Sequence, residues 1–165
     1  MATVAIGRLT GRFLALLILA AAGSAAAMGA GTAMPLTERV ELQELQSGFA
    51  GVTGTVWTIE TDGRFVISRK INEQVTPRAE GTLDAAQLSK IAEALAAADA
   101  ATLPATIGDP PPVNPRTVIL QIGDKPSTLF TAGAVEAGPS GGDAESRLLN
   151  IAAAIKDVVG LPPEP

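Results

Sequence analysis

The side chains able to do chemistry in this chain are carboxylates, cationic groups and hydroxyls. None of its 165 residues is His, Cys or Tyr. That removes the usual proton shuttle near neutral pH, the Ser–His and Cys–His nucleophile systems, and the ordinary zinc ligand sets. Paired carboxylates can still run glycoside hydrolysis, and Asp99 with Asp109, or Glu60 with Asp62, are the pairs on offer. None of the four stands in a motif, and each has a plainer place. Asp62 reads as a turn residue, Glu60 as part of a solvated strand face, and Asp99 as a helix end, while Asp84 and Asp143 read as helix caps. A calcium loop needs alternating Asp and Asn oxygens over a short span, and a phosphate cradle needs a glycine loop opening a helix. Neither pattern is present. The expectation is a protein that is not an enzyme, with no catalytic residue, no metal ligand and no cofactor.

Binding chemistry has better material. Three conformationally restricted loops qualify, over 47–54, 103–115 and 131–142. A loop held stiff loses little entropy on docking. In the first, Phe49 and Ala50 lie between Gly48 and Gly51, with Ser47 before them. Glycine reaches φ > 0 and lets backbone approach backbone, so this pair suits one tight, specific turn. Phe49 reads either as an apolar anchor for a partner pocket or as a cap folded over the sheet edge. With four Phe and one Trp in the chain, packing is the favoured role. The second loop carries five prolines, which hold it extended. Ile107, Val113 and Asn114 on it form either a lip offered to a protein cleft or a strap packed along the sheet. Trp57 lies mid-strand beside Ile59 and reads as core.

Behind these loops stand the elements that position them. A strand over 38–46 turns Val40 and Leu42 inward, and the alternation slips at Leu45, which suggests a bulge. A second strand over 53–59 puts Thr55, Trp57 and Ile59 on one face. Its return strand over 64–71 fixes a register. A two-residue loop at Asp62 and Gly63 would send Phe65 and Ile67 to the wrong face. A three-residue loop over 61–63 instead pairs Ile59 with Phe65 and Trp57 with Ile67, with Gly63 left-handed in a G1 bulge. A helix follows, with Asp84 as N-cap, Gln87 completing a capping box, and Leu83 able to staple to Leu88. Leu88, Ile91, Ala92 and Leu95 form its apolar stripe. A second hairpin joins strands over 116–122 and 127–131. A last helix runs from an Asp143 cap to a Gly160 stop, with Leu148, Ala152, Ile155 and Val159 inward. The order β-β-β-α-β-β-α predicts an α+β domain over 37–160. Its antiparallel sheet has about five strands, and both helices pack on one face.

The first 27 residues read as a secretory signal peptide. Arg8 and Arg12 precede an apolar run over 13–22, and Ala25-Ala26-Ala27 offers a cleavage site. That run is half the length of about 20 that a spanning helix needs. Residues 28–36 read as a disordered lead-in and 161–165 as a tail. Without the leader, ten basic residues face seventeen acidic ones, a net charge of −7. Scattered cations on an acidic chain disfavour nucleic acid and membrane-surface partners. The expected location is secreted or periplasmic.

The loop Ser47-Gly48-Phe49-Ala50-Gly51, entered and left by strands, resembles the opening of the emfourin family. That family's signature is a strand followed by Ser-Gly-Gly-Phe-Ala-Gly; this chain carries a single glycine before Phe49. In element order the similarity extends over about residues 39–159. The family includes small bacterial inhibitors of thermolysin-like (M4) zinc metalloproteases. The resemblance implies reversible, non-covalent blockade of a protease cleft by loops, with an extracellular or periplasmic protease as the partner and no cofactor. The alternative is an extracellular or envelope binding module of the same fold without inhibitory activity.

Overall fold

Alternating aliphatic residues build a sheet, and two capped amphipathic helices cover one of its faces. The computed structural model describes residues 34–110, 113–131 and 143–160. The expected leader over 1–27, most of the lead-in, the loop over 132–142 and the tail lie outside the described residues. Seven strands are described: β1 (Val40–Gly48), β2 (Gly51–Ile59), β3 (Arg64–Ile71), β4 (Gln74–Thr82), β5 (Thr106–Ile107), β6 (Arg116–Ile122) and β7 (Lys125–Thr131). The helices are α1 (Ala85–Ala97) and α2 (Ala144–Val159). The strand order is β4-β3-β2-β1-β6-β7-β5. Every pairing is antiparallel except that of β5 with β7.

The class remains α+β, but the expected sheet of about five antiparallel strands is corrected to a seven-stranded mixed one. Both added strands are edges. β4 reads Gln-Val-Thr-Pro-Arg-Ala-Glu-Gly-Thr and is exposed at every position but Ala79, so it has no inward alternation to betray it. Proline is tolerated in sheets at edges and bulges, and the β3–β4 register shifts between Ile67 and Ser68, opposite Ala79 and Pro77. β5 is two residues long, inside the proline-rich connection. The strand after the second hairpin also starts earlier than expected, at Lys125.

The β2–β3 register is the one the pattern requires, with Ile59 opposite Phe65 and Trp57 opposite Ile67. Gly63 takes φ 89 and its N–H donates to Glu60 O at 3.0 Å. The Arg64 N–H donates to the Asp62 carboxylate at 3.1 Å. That backbone bond, helped by the Arg64 guanidinium, holds the Asp62 carboxyl below its ordinary value. The bulge expected at Leu45 is absent. β1 pairs with β2 without a break from Val40↔Ile59 to Gly48↔Gly51. Leu45 therefore goes to the outer face opposite Gly54, where a Cβ would stand 2.8 Å from Leu45 Cδ2. The missing glycine side chain makes room for the leucine.

One core joins the layers. Val40, Leu42, Trp57, Ile59, Ile67, Val118, Leu120 and Leu129 of the sheet pack against Ile91 of α1 and Leu148, Ile151, Ala152 and Ile155 of α2. Trp57 is buried with its indole N–H donated to Gly160 O at 3.0 Å, so its polar atom is satisfied at the end of α2. The α1 capping box forms as read, between Asp84 and Gln87. Arg147 of α2 closes the other end of α1, donating to Ala98 O at 2.6 Å and to Thr102 Oγ1 at 2.7 Å. Within the expected lead-in, Leu36 is buried in the core and the Met34 N–H donates to Ser89 Oγ at 3.1 Å.

Candidate functional site

Strand pairing gathers several chain reversals at one end of the sheet. Gly48 faces Gly51 across the turn of Phe49 and Ala50. Thr53 faces Ile71, and Ile71 faces Gln74 across the turn of Asn72 and Glu73. Gln46 faces Arg116, which in turn faces Thr131. The β1–β2 turn, the β3–β4 turn and the segment entering β6 therefore share one end. The loop over 132–142 leaves β7 there and lies outside the described residues.

Phe49 stands at the tip of this end with a relative exposure of 110%. A cap folded over the sheet edge would be buried, so the packing role favoured from composition is corrected. Five large apolar side chains are exposed among the described residues: Met34, Phe49, Ile71, Val75 and Val113. All but Met34 belong to this end of the sheet, with Ile71 at an inward and Val75 at an outward position.

The tip is braced on both sides. Gly51 takes φ +105, and a Cβ there would stand 2.0 Å from Asn72 Oδ1. Asn72, itself left-handed at φ 54, accepts from the Val52 N–H at 2.9 Å and donates its own N–H to Val52 O at 2.7 Å. The β3–β4 turn thus clamps the start of β2. On the other flank the Ser47 N–H donates to Pro115 O at 3.0 Å. Asn114, at φ 48, brings Oδ1 to 3.8 Å from the place a Gly48 side chain would take. Glycine at 51 is what lets Asn72 approach, whereas the contact at Gly48 would be an ordinary van der Waals one.

Of the residues singled out in the sequence, Ser47, Gly48, Phe49, Ala50 and Gly51 form this tip, and Val113 and Asn114 stand exposed beside it. Ile107 is elsewhere: it is 8% exposed, packed in the core through β5 opposite Leu129. For Ile107 the strap arrangement holds, and its side chain is withdrawn from any lip. Ile71, Asn72 and Val75 were missed. Ile71 continues the inward parity of Ile67 beyond the helices, and Val75 lies in the polar edge strand. Asn72 had the one available signal, since Asn tolerates the left-handed region.

Helix cover on the inner face ends at an ion pair between Lys156 Nζ and Glu44 Oε1 at 2.6 Å. Past it, the inward-parity residues Gln46, Thr53 and Ile71 are exposed, so the sheet projects beyond its helices. Asp99 and Asp109 do not converge. Lys125 Nζ donates to Ala101 O, which places Asp99 at the start of β7. Gly108 approaches Phe130 O, which places Asp109 near its far end. Five residues of strand rise separate the two ends, about 17 Å. Glu60 lies 3.7 Å from the Arg39 guanidinium and Asp62 lies 2.8 Å from that of Arg64. Among the described residues no group of three or more metal-ligating side chains occurs, and no helix is long and apolar enough to cross a membrane. What this end can do chemically is offer a stiff apolar projection to another surface. Compared with known proteins, the chain matches no family model and no curated protein.

Proposed function

We propose that this chain is a secreted or periplasmic protein inhibitor of a thermolysin-like (M4) metalloprotease, occupying the cleft reversibly through the braced loop end. The observation that carries the reading is Phe49, wholly exposed on a turn clamped by Asn72 on one side and Pro115 on the other. A large apolar side chain left in water gains about 1.5–3 kcal/mol when a partner buries it. The clamps mean that little order has to be created on docking. No reactive group lies at the tip, so the blockade is non-covalent and asks nothing of a cofactor. The protease class comes from the resemblance of residues 47–51 to the emfourin loop.

The test is an inhibition titration of residues 28–165 against a thermolysin-type metalloprotease, with a chymotrypsin-like serine protease beside it. Selective, saturable inhibition without cleavage of the added protein is expected. No inhibition at micromolar excess would contradict the reading and leave a binding module of the same fold whose partner lies elsewhere.

A further inference from the structure

The chain is acidic overall, at −5, but its charge is unevenly placed. At the end opposite Phe49 stand Glu38, Glu60, Asp62, Asp84, Asp99 and Asp124. They are placed there by the β2–β3 and β6–β7 turns and by the contacts of Leu83 with Gly63, Lys125 with Ala101 and Glu38 with Gly123. Four cations at that end are engaged, Arg39 with Glu41, Arg64 with Asp62, Lys125 with Ala101 O and Arg147 with Asp99, while Lys90 on α1 is exposed. The loop end differs. Its carboxylate Glu44 is neutralised by Lys156, leaving, among the described residues, Asp157 beside Lys156, Glu73 on the β3–β4 turn and Asp109 past β5.

Two guanidinium groups there have no partner among the described residues. Arg69 of β3 is exposed and Arg116 of β6 is half-exposed. Both have inward parity, on the part of the inner face that the helices leave open: Arg69 lies opposite Thr55, and Arg116 lies opposite Gln46 and Thr131. Three strand spacings and one two-residue step separate their Cα atoms, about 16 Å. Thr55 and Thr53 of β2 and Glu44 and Gln46 of β1 lie between them in the ladder. A guanidinium that is weakly hydrated and already fork-shaped suits a carboxylate partner better than an ammonium does.

We infer that Arg69 and Arg116 form a second contact element, and that the surface they dock against carries carboxylates flanking the apolar pocket that takes Phe49. The inference rests on the docking end proposed above and adds the chemistry of the partner. Such a partner would be repelled by an acidic molecule approaching at random. The acidic far end and the open arginines instead orient the loop end toward it, which raises the association rate and makes it salt-dependent.

The test compares association rates and inhibition constants for wild-type protein and the Arg69→Glu/Arg116→Glu pair, at about 50 mM and 500 mM salt. An Arg69→Lys/Arg116→Lys pair runs alongside, and thermal midpoints show that all are folded. Should the Glu pair fail to fold, Arg69→Gln/Arg116→Gln replaces it. The wild-type association rate is expected to fall by about tenfold or more across that salt range, as for a steered encounter. The Glu pair should be slower by about tenfold or more at low salt and should speed up as salt screens its repulsion, with the Lys pair keeping most of the rate. Wild-type inhibition that ignores salt, with the Glu pair associating at the same rate, would overturn this inference and leave the inhibitor reading standing. Absence of wild-type inhibition would overturn both.

Discussion

Phe49 shows how a composition argument can misplace a residue. Few aromatics suggested that none could be spared for the surface, yet the core is filled mainly by Leu, Ile and Val around the single Trp57, with Phe65 packed at its edge, and Phe49 takes no part in it. Only the structure shows what surrounds the turn. Gly51 is held to its conformation by its φ of +105 and by the Asn72 amide. Gly51→Ala is therefore expected to lower stability by about 1–3 kcal/mol, through strain and collision together. Asn72→Ala removes one bracing hydrogen bond, about 1 kcal/mol. Combining them removes the collision but keeps the strain, so the double variant should lose less than the sum of the two singles. Urea denaturation of the three variants checks this; a neutral Gly51→Ala would refute the clamp.

At the scale of elements, legibility followed burial. β2, β3, α1 and α2 each bury one face, so alternation, the three-residue turn and the caps were readable. Even the pairing of Trp57 with Ile67 was fixed by which face must be apolar. β4 and β5 are edges. A strand with no buried face has no period to read, and a proline such as Pro77 is rare in strands other than edges. The link between α1 and α2 was also hidden, because Arg147 reaches backbone carbonyls that no sequence pattern reports. It satisfies the end of α1 with charge-assisted bonds to Ala98 O and Thr102. Arg147→Ala is expected to cost about 2 kcal/mol, as bonds to charged groups do. Hydrogen exchange should speed up first around residues 94–102. Uniform loss of protection, or none, would show that the clamp does not act locally.

For the whole molecule, an α+β domain with one core and helices on one face could be read from element order, because each amphipathic element must bury its stripe against another. The assembled loop end could not. Its members come from β1, β2, β3, β4 and β6, and only the strand order brings Phe49, Ile71, Val75 and Val113 to the same side. Net charge was legible, and its polarity along the sheet was not. The resulting picture is a two-layer domain whose sheet projects past its helices and ends in an exposed apolar tip, which we propose meets a partner. Its central claim is that Phe49 serves contact and not packing. The most direct measurement is the inhibition constant of Phe49→Ala against that of wild type, with urea stability recorded on the same samples. The account predicts inhibition weakened by about thirtyfold, the size of a hot-spot loss of about 2 kcal/mol, with stability unchanged within about 0.5 kcal/mol. An undiminished inhibition constant, or a loss of stability of about 3–5 kcal/mol as for a buried phenylalanine, would contradict it.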